Sequence, residues 1–195
     1  MKFSAAKTYI LRMLKRELPP NLHYHGLHHT WDVFNSAKII AKKEGLNDTK
    51  TKLLLTATLY HDSGYILTYS DNETVAIGLV EDILPSFGYD PAQIEIISNI
   101  ILSTKKGVEP KNKLEFIMSD ADHDYFGRSD YHVIADSLQR ELTEYNIPMT
   151  EKQWTETQLD YLENQHRYYT QSSIDMREEK KNKNIQELKN KLLKL

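Results

Sequence analysis

The chain has 195 residues and a formal net charge of −3, enough for one domain with a real core and too acidic for bulk attraction to nucleic acid. It contains no cysteine, which excludes disulfides and thiolate metal sites and fits a reducing cytoplasm. No apolar run approaches the roughly 20 residues of a membrane span, and Met1–Lys7 is not apolar enough for a signal peptide, so a cytoplasmic protein with no membrane partner is expected.

Apolar spacing is helical almost throughout, and few β-branched alternations occur, so the fold class is all-α. Ser4 to Leu18 forms a first helix, stopped by Pro19-Pro20. A polar, histidine-rich segment precedes a second helix from about Leu27 to Glu44, with Gly45 as its C-cap. Asp48 or Thr49 caps a third, carrying Leu53, Leu54, Ala57 and Leu59 and ending near Asp62. Asn72 caps a fourth, and Asp90-Pro91 opens a fifth over Ile94 to Leu102. A basic loop, Ser103 to Lys111, leads to a sixth from Leu114 to Asp122 and a seventh from Tyr131 to Tyr145. The capping box Thr150-Glu151-Lys152-Gln153 starts an eighth, which runs to about Tyr169. The Lys/Glu/Asn-rich tail keeps Ile185, Leu188, Leu192 and Leu195 at helical spacing. The expected organisation is one bundle of eight to nine helices over residues 1–170, with a charged helix over 171–195 that is either packed on it or loosely attached. A homodimer through that tail is the other use of its apolar stripe.

Four of the eight histidines fall within residues 23–29. His25 and His29 share a helical face if the second helix starts a residue or two early. His61-Asp62 closes the apolar run Leu53 to Tyr60, where a polar pair is unexpected unless it points at something. The acidic cluster Ser119-Asp120-Ala121-Asp122-His123-Asp124 ends another apolar helix. Imidazole with carboxylate and no thiolate suits borderline to hard divalent ions in sites that keep open positions.

These pieces, in this order, resemble the HD superfamily of metal-dependent phosphohydrolases. Its signature is a His, then an adjacent His-Asp, then a distant Asp, all on one divalent ion. The resemblance covers about residues 20–130 and implies an all-helical fold with His29, His61, Asp62 and Asp122 as metal ligands. Ala121-Asp122 matches the family's helical Ala-Asp, while Asp120 remains the alternative, in a role supporting the ligands. Tyr24-His25 resembles the Tyr-His of the cyclic-nucleotide phosphodiesterase branch, where a proton-donating His precedes the metal-binding His by four residues. That register selects His29 over His28 and gives His25 the acid role, although Gly26 stands where that branch has Asn. The implied chemistry is a metal-activated water attacking a phosphoester, with Asp62 or Asp122 orienting or deprotonating the water. The expected substrate is a small phosphorylated metabolite, a nucleotide or cyclic nucleotide in the first instance. The alternative is a signalling module that binds a nucleotide on the same fold without hydrolysing it. The ion is one of Mn, Fe, Co, Ni, Zn or Mg. Two-metal members often bring histidines from the segment that is here Ser63 to Ser119, which holds none; one tightly held ion is expected, with a second left open.

Cations near the site should handle phosphate, and Arg128 and Lys105 are the candidates, with Lys106 beside the latter. Glu73 is expected as a helix N-terminal charge. His123, His132 and His166 are read as packing or surface residues, Trp154, Tyr161, Tyr168 and Tyr169 as core, and Arg177 as part of a solvated face.

Overall fold

The computed structural model describes residues 1–195, in nine α-helices joined by short 3-10 or π turns and no strand. The helices are α1 (Phe3–Glu17), α2 (Leu27–Lys43), α3 (Asp48–Tyr60), α4 (Asn72–Ile83), α5 (Pro91–Leu102), α6 (Lys113–Asp122), α7 (Tyr131–Glu144), α8 (Glu151–Asp160) and α9 (Gln171–Leu192). None is long and apolar enough to cross a membrane.

The arrangement grows from α3. Every residue from Leu53 to Tyr60 is buried, and a helix apolar on all sides finds its place in the middle of a core. Each such Leu contributes roughly 1.5–3 kcal/mol by leaving water. The two threonines inside that run bond main-chain carbonyls of their own helix, Thr56 to Lys52 and Thr58 to Leu55, so their hydroxyls cost little there. Helices α1, α2 and α5 pack around α3, and with α4 and α6 they share the larger apolar core. Because α3 is central, the pair that follows it, His61-Asp62, is delivered to the protein interior rather than to the surface.

A second, smaller core joins Tyr24, the turn after α6, and helices α7, α8 and α9. The tail belongs to it: Lys181, Asn184, Ile185 and Leu188 are buried. Two ties fasten α9 to the 3-10 turn Asp124–Gly127. Arg177 grips the buried Asp124 with Nε and Nη2 at 2.7 and 3.0 Å, and Asn184 donates to the carbonyls of Phe126 and Arg128. Gly127 is required at that contact, since a Cβ there would lie 2.4 Å from the Arg177 carbonyl oxygen. Arg177 is therefore an internal anchor and not part of a solvated face.

Several expected boundaries move. Asn47, not Asp48 or Thr49, caps α3 by accepting from the Lys50 N–H at 2.9 Å. Asp71 takes the cap position of α4 in a left-handed conformation, φ 55°, so Asn72 is the first helical residue. The largest shift is in α8, which stops at Asp160 and unwinds through a π turn at Tyr161–Gln165. The chain then runs extended because Asp120 captures the N–H groups of Tyr169 and Thr170 and the Thr170 hydroxyl.

Candidate metal centre

The site lies where the two cores meet. His29 stands in the first turn of α2, His61 and Asp62 follow the last residue of α3, and Asp122 is the last residue of α6. The Asp122 Oδ1 lies 3.0 Å from His29 Nε2 and 3.6 Å from His61 Nε2. Asp62 Oδ2 lies 3.1 Å from His61 Nε2 and 3.5 Å from His29 Nε2. Donor atoms bound to one ion at 2.0–2.2 Å stand roughly 3–3.5 Å apart, so each carboxylate oxygen is near ligand spacing from both imidazoles, although Asp62 falls outside the set whose donor atoms all lie within 4.8 Å of one another. The residues also fit such an ion chemically. His61 Nδ1–H donates to the Thr58 carbonyl at 2.8 Å, which leaves the Nε2 lone pair facing the carboxylates. That Nε2 and Asp62 Oδ2 are buried and have no hydrogen-bond partner, an arrangement costly without a cation between them. His29, His61 and Asp122 form the one cluster of the chain whose donor atoms lie close enough together to hold an ion.

The electrostatics agree. Burial by itself would depress the His61 imidazole, yet Asp62 and Asp122 outweigh it and hold it well above its usual range. Burial would raise Asp122, but His29 and His61 keep its carboxyl well below the carboxylate norm, and Asp62 is lowered against burial by His61 and His25. Two carboxylates kept ionised in the interior make a pocket that demands positive charge.

His25 stands outside α2, since Gly26 is the extended N-cap of that helix. The shared helical face is therefore not what pairs His25 with His29, although their ring centroids come within 5.9 Å. The device that places His25 is Glu141 of α7, a residue not singled out from the sequence. Its fully buried carboxylate takes the His25 Nδ1–H at 2.5 Å, the N–H groups of Tyr24 and His25 at 2.8 and 3.0 Å, and the Tyr69 hydroxyl at 3.2 Å. Tyr65 stacks on the other side of the imidazole, centroids 4.4 Å apart. Burial would lower His25, but Glu141 with Asp62 raises it above the ordinary imidazole value. A signal for Glu141 was present: it lies on the apolar face of α7 marked by Ile134, Leu138 and Leu142, where a carboxylate needs partners.

Not every candidate converges. Arg128 is directed away: its guanidinium bonds Asp32 at 2.7 Å and Asp130 at 2.9 and 3.0 Å, and it lines a different groove beside His28. Lys105 is paired with Asp71 on the surface. Neither lines the cavity at the His/Asp cluster in this structure, where both were expected. Lys106 does line the cavity there, as does Glu73 in the first turn of α4. Asp120 is spent on the segment before α9 and is not a ligand candidate. His28 faces the groove with Arg128, and His132 pairs with Glu187 outside. His166 is packed in the smaller core, where burial pushes it down to about 2. His123 lines the cavity, held by the Ser119 carbonyl and the Tyr161 hydroxyl.

The cavity has a volume of about 470 Å³ and reaches from Asp62 and Asp122 to Trp154 and Tyr161. Trp154 is buried in the smaller core as expected, with Tyr161 packed against it, and both also border this cavity, while Tyr168 is buried and Tyr169 stacks on Phe116 outside it.

The HD domain family matches residues 26–125 of the chain, slightly more than half its length. The chain belongs to the HD domain family. No curated protein and no solved structure matches it. HD domains are generally metal-dependent hydrolases, and the His29, His61 and Asp122 cluster could hold the ion. The matched span contains Asp62 as well but begins one residue after His25 and ends before α7. Glu141 and the aromatic wall of the cavity therefore lie outside what the family defines.

Proposed function

We propose that this HD domain is a metal-dependent phosphohydrolase that cleaves a phosphoester of a small metabolite, with nucleotides and cyclic nucleotides as the first substrates to test. His29, His61, Asp62 and Asp122 would hold one divalent ion. Such an ion supplies an acidified water and charge for a phosphoryl oxygen. Asp62 or Asp122, both held below the usual carboxylate range, would orient the attacking water, and one of the two would accept its proton. His25 donates Nδ1–H to Glu141, whose carboxylate favours the imidazolium form of the ring, and in that form its Nε2–H is the proton given to the leaving oxygen. The observation that carries the reading is the His29, His61 and Asp122 cluster with Asp62 beside it, next to a histidine whose Nδ1 is held by the buried Glu141 carboxylate.

The test is metal analysis of the purified protein, followed by assay against phosphoesters with and without chelator. Turnover that vanishes with chelator and returns with Mn²⁺ or another divalent ion is expected. Full activity after complete chelation would overturn the metal-hydrolase reading. Tight nucleotide binding without turnover in the metal-loaded protein would favour the non-hydrolytic signalling module instead.

A further inference from the structure

The 3-10 turn Ser63–Ile66, directly after the ligand pair, puts one more side chain into the site. Its role deepens the phosphohydrolase reading, on which it rests. In a 3-10 turn, side chains three residues apart stand one above the other, so Tyr65 rises on the side of Asp62, and its N–H bonds the Asp62 carbonyl at 3.2 Å. Burial, and after it the charge of Asp62, raise this phenol above its usual range, which marks Asp62 as the charge that bears on it most. The turn is firmly seated. A Cβ at Gly64 would lie 1.9 Å from the Asn72 carbonyl oxygen, so the chain there is pressed against the start of α4, and the Ser63 hydroxyl is tied back to the Tyr60 carbonyl at 2.7 Å.

The ring and the hydroxyl of Tyr65 have separate surroundings. The ring stacks on the His25 imidazole, with centroids 4.4 Å apart and 27° between the planes. The hydroxyl has no partner within the protein, which sets it apart from the other tyrosines that line this cavity. Tyr69 and Tyr131 donate to Glu141 and Gln158, Tyr161 pairs with His123, and the hydroxyls of Tyr24 and Tyr125 face each other. The Tyr60 hydroxyl also lacks a partner but is sealed in the core, whereas that of Tyr65 is open to the cavity. A phenol keeps its proton at neutral pH and donates well to an anionic oxygen. Arg128, which could have gripped a phosphate, is held by Asp32 and Asp130, so a neutral donor at the His/Asp end has more of that task to carry.

We propose that Tyr65 is a substrate-binding residue of the hydrolytic site. Its hydroxyl donates to a non-bridging oxygen of the phosphoryl group, while its ring holds the His25 imidazole toward the leaving group.

Tyr65→Phe keeps the ring on His25 and removes only the hydroxyl. Metal content should match the wild type, and calorimetry of the Mn²⁺-loaded protein with inorganic phosphate should show about tenfold weaker binding. Turnover should lose roughly ten- to a hundredfold in kcat/KM, the scale of a hydrogen bond to a charged oxygen. That factor should be the same on an alkyl phosphoester and on 4-nitrophenyl phosphate. Equal loss is the signature of a contact to the phosphoryl oxygens, since a fault in the acid would spare the nitrophenyl ester. Tyr65→Leu, which loses the ring as well, should add a further loss confined to the alkyl ester. Unchanged phosphate affinity in Tyr65→Phe, or a loss limited to the alkyl ester, would overturn the proposal and leave Tyr65 serving Asp62 or His25 alone. So would loss of the metal. A wild type that hydrolyses no phosphoester would sink the phosphohydrolase reading instead, and the phosphate titration would still decide the role of Tyr65.

Discussion

The half of the molecule built from α2 to α6 and the half built from α7 to α9 contribute to one cavity in different ways. The first half delivers ligand-type side chains from helix ends: His29 near the start of α2, His61-Asp62 after α3, Asp122 at the close of α6. Each is fixed by the helix that carries it, and the larger core holds those helices in place. The second half delivers walls and supports: Glu141 under His25, Trp154 and Tyr161 at the far end, Arg177 locked onto the turn that follows α6. The contrast teaches that metal chemistry in this fold is set by short local motifs, while acid placement and substrate fit depend on long-range docking.

The sharpest way to break that comparison is to remove a ligand. His61→Ala should leave protein that still folds, since the larger core extends well beyond this side chain, but with no ion retained after dialysis and turnover reduced to background. Metal content by mass spectrometry checks it. Retention of a stoichiometric ion would show that the first half does not hold the metal through His61.

His25→Ala tests the bridge between the halves. Metal content should stay at the wild-type level, and turnover of substrates with poor leaving groups should fall roughly 10²–10⁴-fold, the usual worth of a general acid. Nitrophenyl esters, whose leaving group needs little protonation, should lose much less. Equal loss on both would assign His25 a binding role, and loss of metal would make it a ligand.

Glu141→Gln sharpens the same point through pH. His25 is raised by Glu141 against the pull of burial, and its acid role is lost as pH rises through its folded value. With the carboxylate neutralised, that value falls, so the alkaline limb of the kcat profile should move to lower pH. Each unit of displacement costs about tenfold in protonated His25 above the limb. An unmoved limb with a uniformly reduced rate would mean that Glu141 only holds the Tyr24-His25 backbone.

How much of this was readable in the sequence follows the same division. The helices with strong apolar periodicity and capping residues, such as α5 with its Asp90-Pro91 start, were legible because the signals are local. So was the ligand order, since His61-Asp62 and Asp122 stand out against apolar helices. Arg128 was misjudged because proximity in sequence to the acidic helix says nothing about which carboxylates a guanidinium will find in space. The extended course of residues 166–170 was hidden because Asp120, from another helix, captures the N–H groups of Tyr169 and Thr170.

Within the second half, Arg177→Ala should separate stability from chemistry. Asp124 is buried, and Arg177 provides its two shortest hydrogen bonds. Arg128 remains only at 3.5 Å. Leaving a buried acceptor poorly satisfied costs about 1–3 kcal/mol, or roughly 3–10 °C in Tm for a chain of this size. Thermal unfolding should register that loss while metal stoichiometry is unchanged, because no ligand side chain touches Arg177. A fall in metal content would show that α9 positions Asp122 through the intervening turn.

The smallest effect expected is also the most discriminating between neighbours. Lys105 and Lys106 are adjacent in the loop after α5 and look equivalent in sequence. The structure gives Lys105 to Asp71 on the surface and places Lys106 along the cavity that holds Asp62 and Asp122. An exposed ion pair such as Lys105–Asp71 contributes little, so Lys105→Ala should leave KM within about twofold of wild type. Lys106→Ala removes the one lysine or arginine lining the cavity and should raise KM up to about fivefold, the scale of a solvent-accessible charge pair. Since that contribution is screened by ions, the difference between the two variants should narrow in high salt. Equal KM values for both variants at low ionic strength would remove Lys106 from phosphate binding, and a larger effect at Lys105 would show that the Asp71 pair opens when substrate arrives.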